Sequence, residues 1–226
     1  METPKTKEAQ YQVIVEHTAA AGVERFGLRA SESWYQDPKH LAFRLSRYKF
    51  VSKMLAGRGS VLEVGCGDAF GSRIVQAEVG KYTAIDFDPI FIEDAKSRMV
   101  PRWAFDCFVH DMLTGPVPGA FDAVFSLDVL EHIDPAQEIL FLRNSFAPLG
   151  PYGVGMLGVP SLESQPYAST QSKLGHINCK SAPQLKQLME IFFHTVFMFS
   201  MNDEVVHTGF HKMANYVWAI GTGKRD

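Results

Sequence analysis

The octet Val61-Leu62-Glu63-Val64-Gly65-Cys66-Gly67-Asp68 constrains the fold of this chain more than any other stretch. A short apolar run carrying one carboxylate breaks at a Gly-x-Gly pair. Glycine turns the backbone sharply and lets a ligand approach without a Cβ in the way. A helix-like segment follows, and a helix start offers unpaired N–H groups. Alone, a Gly-x-Gly after a strand is common to many nucleotide-binding folds. Its company narrows the choice: Asp86 closes the next apolar run, Asp111 the third and Asp128 the fourth. Strands that each end in an acid describe one rim of an α/β sheet, where ligands bind outside the carboxyl ends of the strands.

The alternation from Ser60 onward supports that sheet. The spacing predicts strands over 60–64, 81–86, 103–109, 122–127 and 152–159, with helices over 69–79, 89–99 and 135–146 between them. Ser181 before Pro183 caps one more helix. Two β-like runs, 194–200 and 213–220, close the chain with no helix between them, which places one antiparallel strand in the sheet. Alternating β and α at this spacing implies a mainly parallel sheet with helices on both faces.

Residues 1–58 read as an N-terminal helical cap, or lid, ahead of a main domain over 59–226. Leu41, Leu45, Tyr48, Ser52 and Leu55 recur at helical spacing and mark one buried stripe. Lys39, Arg44, Arg47, Lys49, Lys53 and Arg58 crowd the same region with no acid among them. The plain reading is a solvated helix face; the sharper one leans Arg44 or Arg47 over the cofactor or a substrate anion. Segment 161–180 is polar and aperiodic. A structureless stretch of that length in a compact domain is usually a functional loop, so it reads as a substrate loop.

Charge and cysteine usage exclude several classes. A formal net charge of −3 argues against broad attraction to nucleic acid or anionic membrane. Cys66, Cys107 and Cys179 are odd in number and lack Cys-x-x-Cys spacing. They suit a reducing cytoplasm and offer no disulfide framework. Residues 1–10 lack an apolar signal core, and the strongest apolar run, 191–201, is broken by His194 and Thr195. The expectation is a soluble cytoplasmic protein with a small-molecule substrate, no membrane and no nucleic acid.

Val61–Gly67, Ala84–Asp86, His110–Met112 and Phe121–Ile133 together resemble the successive motifs of class I S-adenosylmethionine-dependent methyltransferases. The resemblance implies a Rossmann-like, seven-stranded mixed sheet with the last strand antiparallel. One departure is Ala69, where many relatives carry a third glycine. Asp86 lies 21 residues after Gly65, where a carboxylate can accept ribose hydroxyls. Phe87 is placed to pack on adenine, and Asp111 and Met112 resemble the pair that contacts the adenine amine and ring face. Glu63 and the Gly65–Cys66–Gly67 backbone would face the methionyl part, with Asp128 under the sulfonium. For any single acid the plain alternative is a helix N-cap.

Asp128-Val129-Leu130-Glu131-His132 carries the reaction chemistry in this reading. If it opens a helix, residues 128, 131 and 132 share one face. Two roles compete there. His132 is a catalytic general base in the first. In the second, Asp128, Glu131, His132 and His176 hold a divalent cation: magnesium, manganese or zinc. A similar acid-x-x-Glu-His pattern occurs in metal-using methyltransferases of small RNA ends and of ubiquinone biosynthesis. The plain alternative has Glu131 capping and His132 packing. His207 and His211 read as structural or substrate-facing.

Absent motifs sharpen the expectation. Ser126-Leu127-Asp128-Val129 stands where base and glutamine N-methyltransferases carry Asn/Asp-Pro-Pro-Tyr/Phe, and Val159-Pro160-Ser161 replaces the catechol-type Asp-Asn pair. The expected enzyme is a methyltransferase acting on a small molecule, at a hydroxyl oxygen. Its rivals are N- or C-methylation of a metabolite or nucleotide-linked sugar, a nicotinamide dehydrogenase, and a non-catalytic cofactor-binding partner.

Overall fold

The expected strands are present, and the central ones, Ser60–Val64, Lys81–Asp86, Phe121–Leu127, Leu149–Pro160 and Tyr216–Lys224, form where buried residues concentrate. The structure is a computed structural model that describes residues 4–225. The first three residues of the expected cap and the last residue of the expected main domain lie outside the described residues. Three helices come first: α1 (Gln12–Ala21), α2 (Leu28–Gln36) and α3 (Pro38–Leu55). Asp37 starts α3 by accepting from the Lys39 amide, with Pro38 at the first helical position. Strands and helices then alternate: β1 (Ser60–Val64), α4 (Ser72–Gln76), β2 (Lys81–Asp86), α5 (Pro89–Ser97), β3 (Asp106–Val109) and β4 (Phe121–Leu127). The rest of the chain holds α6 (Glu138–Phe146), β5 (Leu149–Pro160), α7 (Thr170–Gly175), α8 (Ala182–Glu190), β6 (Phe193–Asn202), β7 (Val205–His207) and β8 (Tyr216–Lys224).

The strands form one sheet in the order β3-β2-β1-β4-β5-β8-β6-β7. β1 to β5 pair in parallel, and β8 lies antiparallel between β5 and β6. The sheet is thus Rossmann-like with its last strand antiparallel, as expected, but it has eight strands rather than seven. The extra one, β7, is a three-residue hairpin partner of β6, turned through Asp203 at φ 51°. Three residues are too few to register as alternation.

Helices cover both faces. Val51, Leu55, Val75 and Ile92 from α3, α4 and α5 pack with Tyr82, Phe125 and Trp218 on one side. Leu142, Phe146, Leu185 and Met189 from α6 and α8 pack with Leu62, Val124, Leu157 and Val217 on the other. α3 therefore belongs to the main core even though it lies in the expected cap. α1 buries no residue. No helix among the described residues is long and apolar enough to cross a membrane.

Three local expectations need correction. The helix expected over 69–79 is confined to α4, because Ala69 takes a left-handed φ of 51°. The turn thus places left-handed backbone at Gly65, Gly67 and Ala69 alike. Segment 161–180 is not structureless: a 3₁₀ helix (Leu162–Tyr167) and α7 fill it, capped by the Ser161 and Ser169 side chains. Neither helix buries a residue, so neither left an apolar period to read. Asp128 does not open an α-helix; it sits at φ 55° before a single 3₁₀ turn, Leu130–His132.

Candidate active site

The glycine turn after β1 is held against the end of β2. Gly65 and Cys66 donate backbone N–H bonds to the Ile85 carbonyl at 2.8 and 3.0 Å. Gly65 has φ 81°, and a Cβ there would meet Val129 Cγ2 at 2.2 Å. Gly67, at φ 54°, has nothing within 4 Å of that position, so its face is open to a ligand. Gly65→Ala should therefore destabilise the fold by about 1–2 kcal/mol for its backbone alone, plus the clash, read as a lower urea midpoint. An unchanged midpoint would mean that the turn rearranges freely.

Asp86 is the keystone of this turn. Its carboxylate accepts from the Gly67 amide at 2.8 Å and from the Asp88 amide at 3.0 Å. Asp88 in turn caps α5 through the Ile90 amide. Phe87 is 72% exposed, leaving its ring available to a planar ligand. Asp111 is exposed and accepts from the Leu113 amide, while Met112 is buried in the core.

Glu63 and Cys66 turn away from the rim. Glu63 is 1% exposed and takes hydroxyl donors from Tyr48, Ser72 and Tyr82. Burial raises its carboxyl above the ordinary range against those three donors. It acts as a post tying β1, β2, α3 and α4 together, not as a surface for the methionyl group. The Cys66 side chain is also buried, which leaves only its backbone to a ligand.

Asp68 has a larger part than the motif suggested. Its buried carboxylate accepts from the Ala30 amide of α2 at 2.8 Å and from the Phe70 amide at 3.2 Å. α2 is thereby bonded to the glycine turn. A carboxylate one residue after Gly-x-Gly was the available signal, but its partner lies 38 positions away in sequence.

Asp128 and Arg47 form a largely, but not fully, buried pair. Both carboxylate oxygens accept from Arg47 Nη1, at 2.8 and 2.6 Å, and each side chain is 16% exposed. Burial pushes the Asp128 carboxyl up, but Arg47 foremost, then Arg29 and Arg44, bring it below its usual value. Arg47 also lies 4.0 Å from the Tyr216 ring centroid. The anion under Arg47 is thus the protein's own. Arg44 donates to Ser33 Oγ at 2.8 Å and forms no ion pair among the described residues.

Glu131, His132 and His176 come together although 44 positions separate the two histidines. One donor atom from each lies within 4.8 Å of the others, a group able to hold a metal ion. Asp128, the fourth residue of the expected set, is outside this group and bonded to Arg47. Glu131 is 1% exposed, and neither of its carboxyl oxygens has a hydrogen-bond partner among the described residues. Burial, then the charge of Asp128, raises that carboxyl well above the carboxylate range. His132 Nδ1 bonds the Gly175 carbonyl and His176 Nδ1 bonds Gln165 Oε1, each at 2.8 Å. Burial, with His132 beside it, lowers the His176 pKa, which favours the neutral imidazole a metal requires. A carboxyl lacking partners beside two oriented imidazoles fits a divalent cation. His207 bonds Asn202, and His211 opens a short 3₁₀ turn, His211–Met213, between β7 and β8.

Comparison with known proteins gives this geometry its context. A family model described as a methyltransferase domain matches residues 61–153. A probable S-adenosylmethionine-dependent methyltransferase of Mycolicibacterium smegmatis is 29% identical over 146 residues, covering 63% of this chain and 54% of its own. A ubiquinone biosynthesis O-methyltransferase of Xanthomonas euvesicatoria pv. vesicatoria is 30% identical over 137 residues, 57% of each chain. The chain thus spans about half the length of these curated relatives. The N-methyltransferase NodS of Bradyrhizobium japonicum, solved with S-adenosyl-L-homocysteine, shares the fold at TM-score 0.63 and 16% identity, covering 96% of this chain and 99% of its own. The matched segment runs from β1 through the glycine turn, Asp86 and Glu131 into β5, and over that segment the chain is similar to S-adenosylmethionine-dependent methyltransferases.

Proposed function

We propose that this chain transfers a methyl group from S-adenosylmethionine to a hydroxyl oxygen of a small-molecule acceptor, with a divalent cation held by Glu131, His132 and His176. The cofactor supplies an electrophilic methyl group. The protein's share is to hold it, align the acceptor, exclude water and remove a proton. The open Gly67 face and the Asp86 carboxylate suit the ribose, and exposed Phe87 with Asp111 suits the adenine. Arg44 suits a carboxylate such as that of the methionyl group, since no protein acid pairs with it among the described residues.

The observation that carries the metal reading is Glu131. A buried carboxyl with two unpartnered oxygens is costly unless a proton or a cation neutralises it. A cation bound there would lower the pKa of a coordinated acceptor hydroxyl. The oxygen acceptor is supported by the name of the ubiquinone-biosynthesis relative. The three free cysteines support a reducing, cytoplasmic setting.

A second reading rests on His132 itself, whose side chain is 42% exposed with Nε2 4.0 Å from Glu131 Oε1. Without metal, it is the base that takes the acceptor proton. Exhaustive chelation with elemental analysis separates the two. Turnover should fall at least tenfold in metal-free protein and return with added zinc, manganese or magnesium. Full activity without metal would leave His132 as the base. Saturating binding of NAD in preference to S-adenosylmethionine would sink both.

Residues 1–58 act in this proposal as a cap over the cofactor. The bond from the Ala30 amide to Asp68 supports it. Because residues 9–21 bury nothing, deleting residues 1–22 should leave the melting temperature nearly unchanged while cofactor affinity falls several-fold. Undiminished affinity and turnover in that truncation would confine the cap to α2 and α3.

A further inference from the structure

We infer that Gln165 is a positioning residue that prepares His176 for metal binding, so that a bound cation ties segment 162–176 to the strand rim. This rests on the metal reading above and extends it to a residue outside the donor set. The argument begins at Ser161, which is fully buried at the end of β5. Its amide donates to the Asn215 carbonyl at 3.0 Å and its hydroxyl to the Ala214 carbonyl at 2.5 Å. The Ser161 carbonyl then accepts from Gln165 Nε2 at 3.0 Å. A carbonyl only accepts, so the amide nitrogen of Gln165 must face Ser161 and its oxygen must face His176.

That orientation sets the imidazole. Gln165 Oε1 lies 2.8 Å from His176 Nδ1 and has no proton to give, so Nδ1 carries the hydrogen. Nε2 is left with the lone pair a metal requires. His132 is set in the same way, because its Nδ1 meets the Gly175 carbonyl at 2.8 Å. Both orienting groups, Gln165 and Gly175, belong to the segment that also carries His176. Glu131 and His132 belong to the rim after β4. At the far end, the Asn178 amide donates to the Glu131 carbonyl at 3.0 Å and closes the unit.

The helices of segment 162–176 bury no residue of their own. Apolar packing therefore contributes little to holding them, and a shared ion would contribute much. Loading the metal and ordering the acceptor side of the pocket become one event.

Titration of the metal-free protein with cobalt(II), followed by its visible absorption and by calorimetry, tests the inference. Gln165→Met keeps length and removes the acceptor; it should weaken cobalt(II) binding about 10–100-fold and alter the ligand-field spectrum. Gln165→Glu still accepts from Nδ1 and should recover most of that loss. Equal cobalt(II) affinity and spectrum in wild type and Gln165→Met would overturn the positioning role. In the wild type, cobalt(II) should also protect 162–176 from limited proteolysis, and unchanged cleavage would overturn the tie to the rim whatever the variants do. Failure of the wild type to bind cobalt(II) at all would instead remove the underlying metal reading.

Discussion

Replacing Asp86 with alanine will weaken S-adenosylmethionine binding by tens-fold or more. In the proposed site its carboxylate accepts the two ribose hydroxyls, and each charge-assisted bond contributes about 1.5–3 kcal/mol. The structure adds a second cause. The same carboxylate accepts from the Gly67 and Asp88 amides, so its removal also loosens the glycine turn and the start of α5. Calorimetry on Asp86→Ala and Asp86→Asn separates these contributions. Asparagine retains one acceptor oxygen for the turn but loses the charge, so it should keep more stability than affinity. Unaltered affinity in Asp86→Ala would take this residue out of the site.

The rim was legible because each of its parts is local. An apolar run, an acid at or just past its end and a glycine pair lie within a few residues of one another, and they located β1 to β4 and the Gly65–Gly67 turn that Asp86 holds. Two opposite errors came from contacts that cross the chain. Glu63 reads as a rim acid, yet Tyr48, Ser72 and Tyr82 enclose it, and no spacing announces three hydroxyls. Asp68 reads as one motif residue among eight, yet it binds α2 through the Ala30 amide.

Segment 161–180 shows a different limit. Its helices are set by serine caps and the Gln165–Ser161 bond rather than by a buried face, so hydrophobic periodicity has nothing to detect there. The eighth strand escaped because a three-residue ladder carries no period. In contrast, the pairing of His176 with Glu131 and His132 was readable in part, because the loop leaves the same rim on which the Glu-His pair sits. What spacing could not supply was the exclusion of Asp128 from that group. It depends on Arg47, 81 positions earlier, reaching Asp128 first.

Loss of Arg47 will destabilise the fold more than any surface substitution, because it strands a buried anion. With Arg47 gone, Asp128 keeps its burial and loses the one nitrogen, Nη1, that donates to both of its oxygens. Breaking a buried pair by removing one member costs about 3–5 kcal/mol. Asp128→Asn in the same background should recover most of that stability, since asparagine tolerates the left-handed φ of 55° and carries no charge. The pH dependence distinguishes charge from packing. In the wild type the Asp128 pKa is depressed, so its contribution is fully present above the unfolded value of about 3.9 and is lost as pH falls through the folded value. In Arg47→Met burial acts with far less opposition and raises the pKa instead. Protonation then relieves the variant as the solution is acidified. The stability difference between wild type and Arg47→Met, from urea midpoints, should therefore be greatest near neutrality and shrink toward pH 4. A difference that stays constant over that range would assign the loss to Arg47 packing on Tyr216 rather than to its charge.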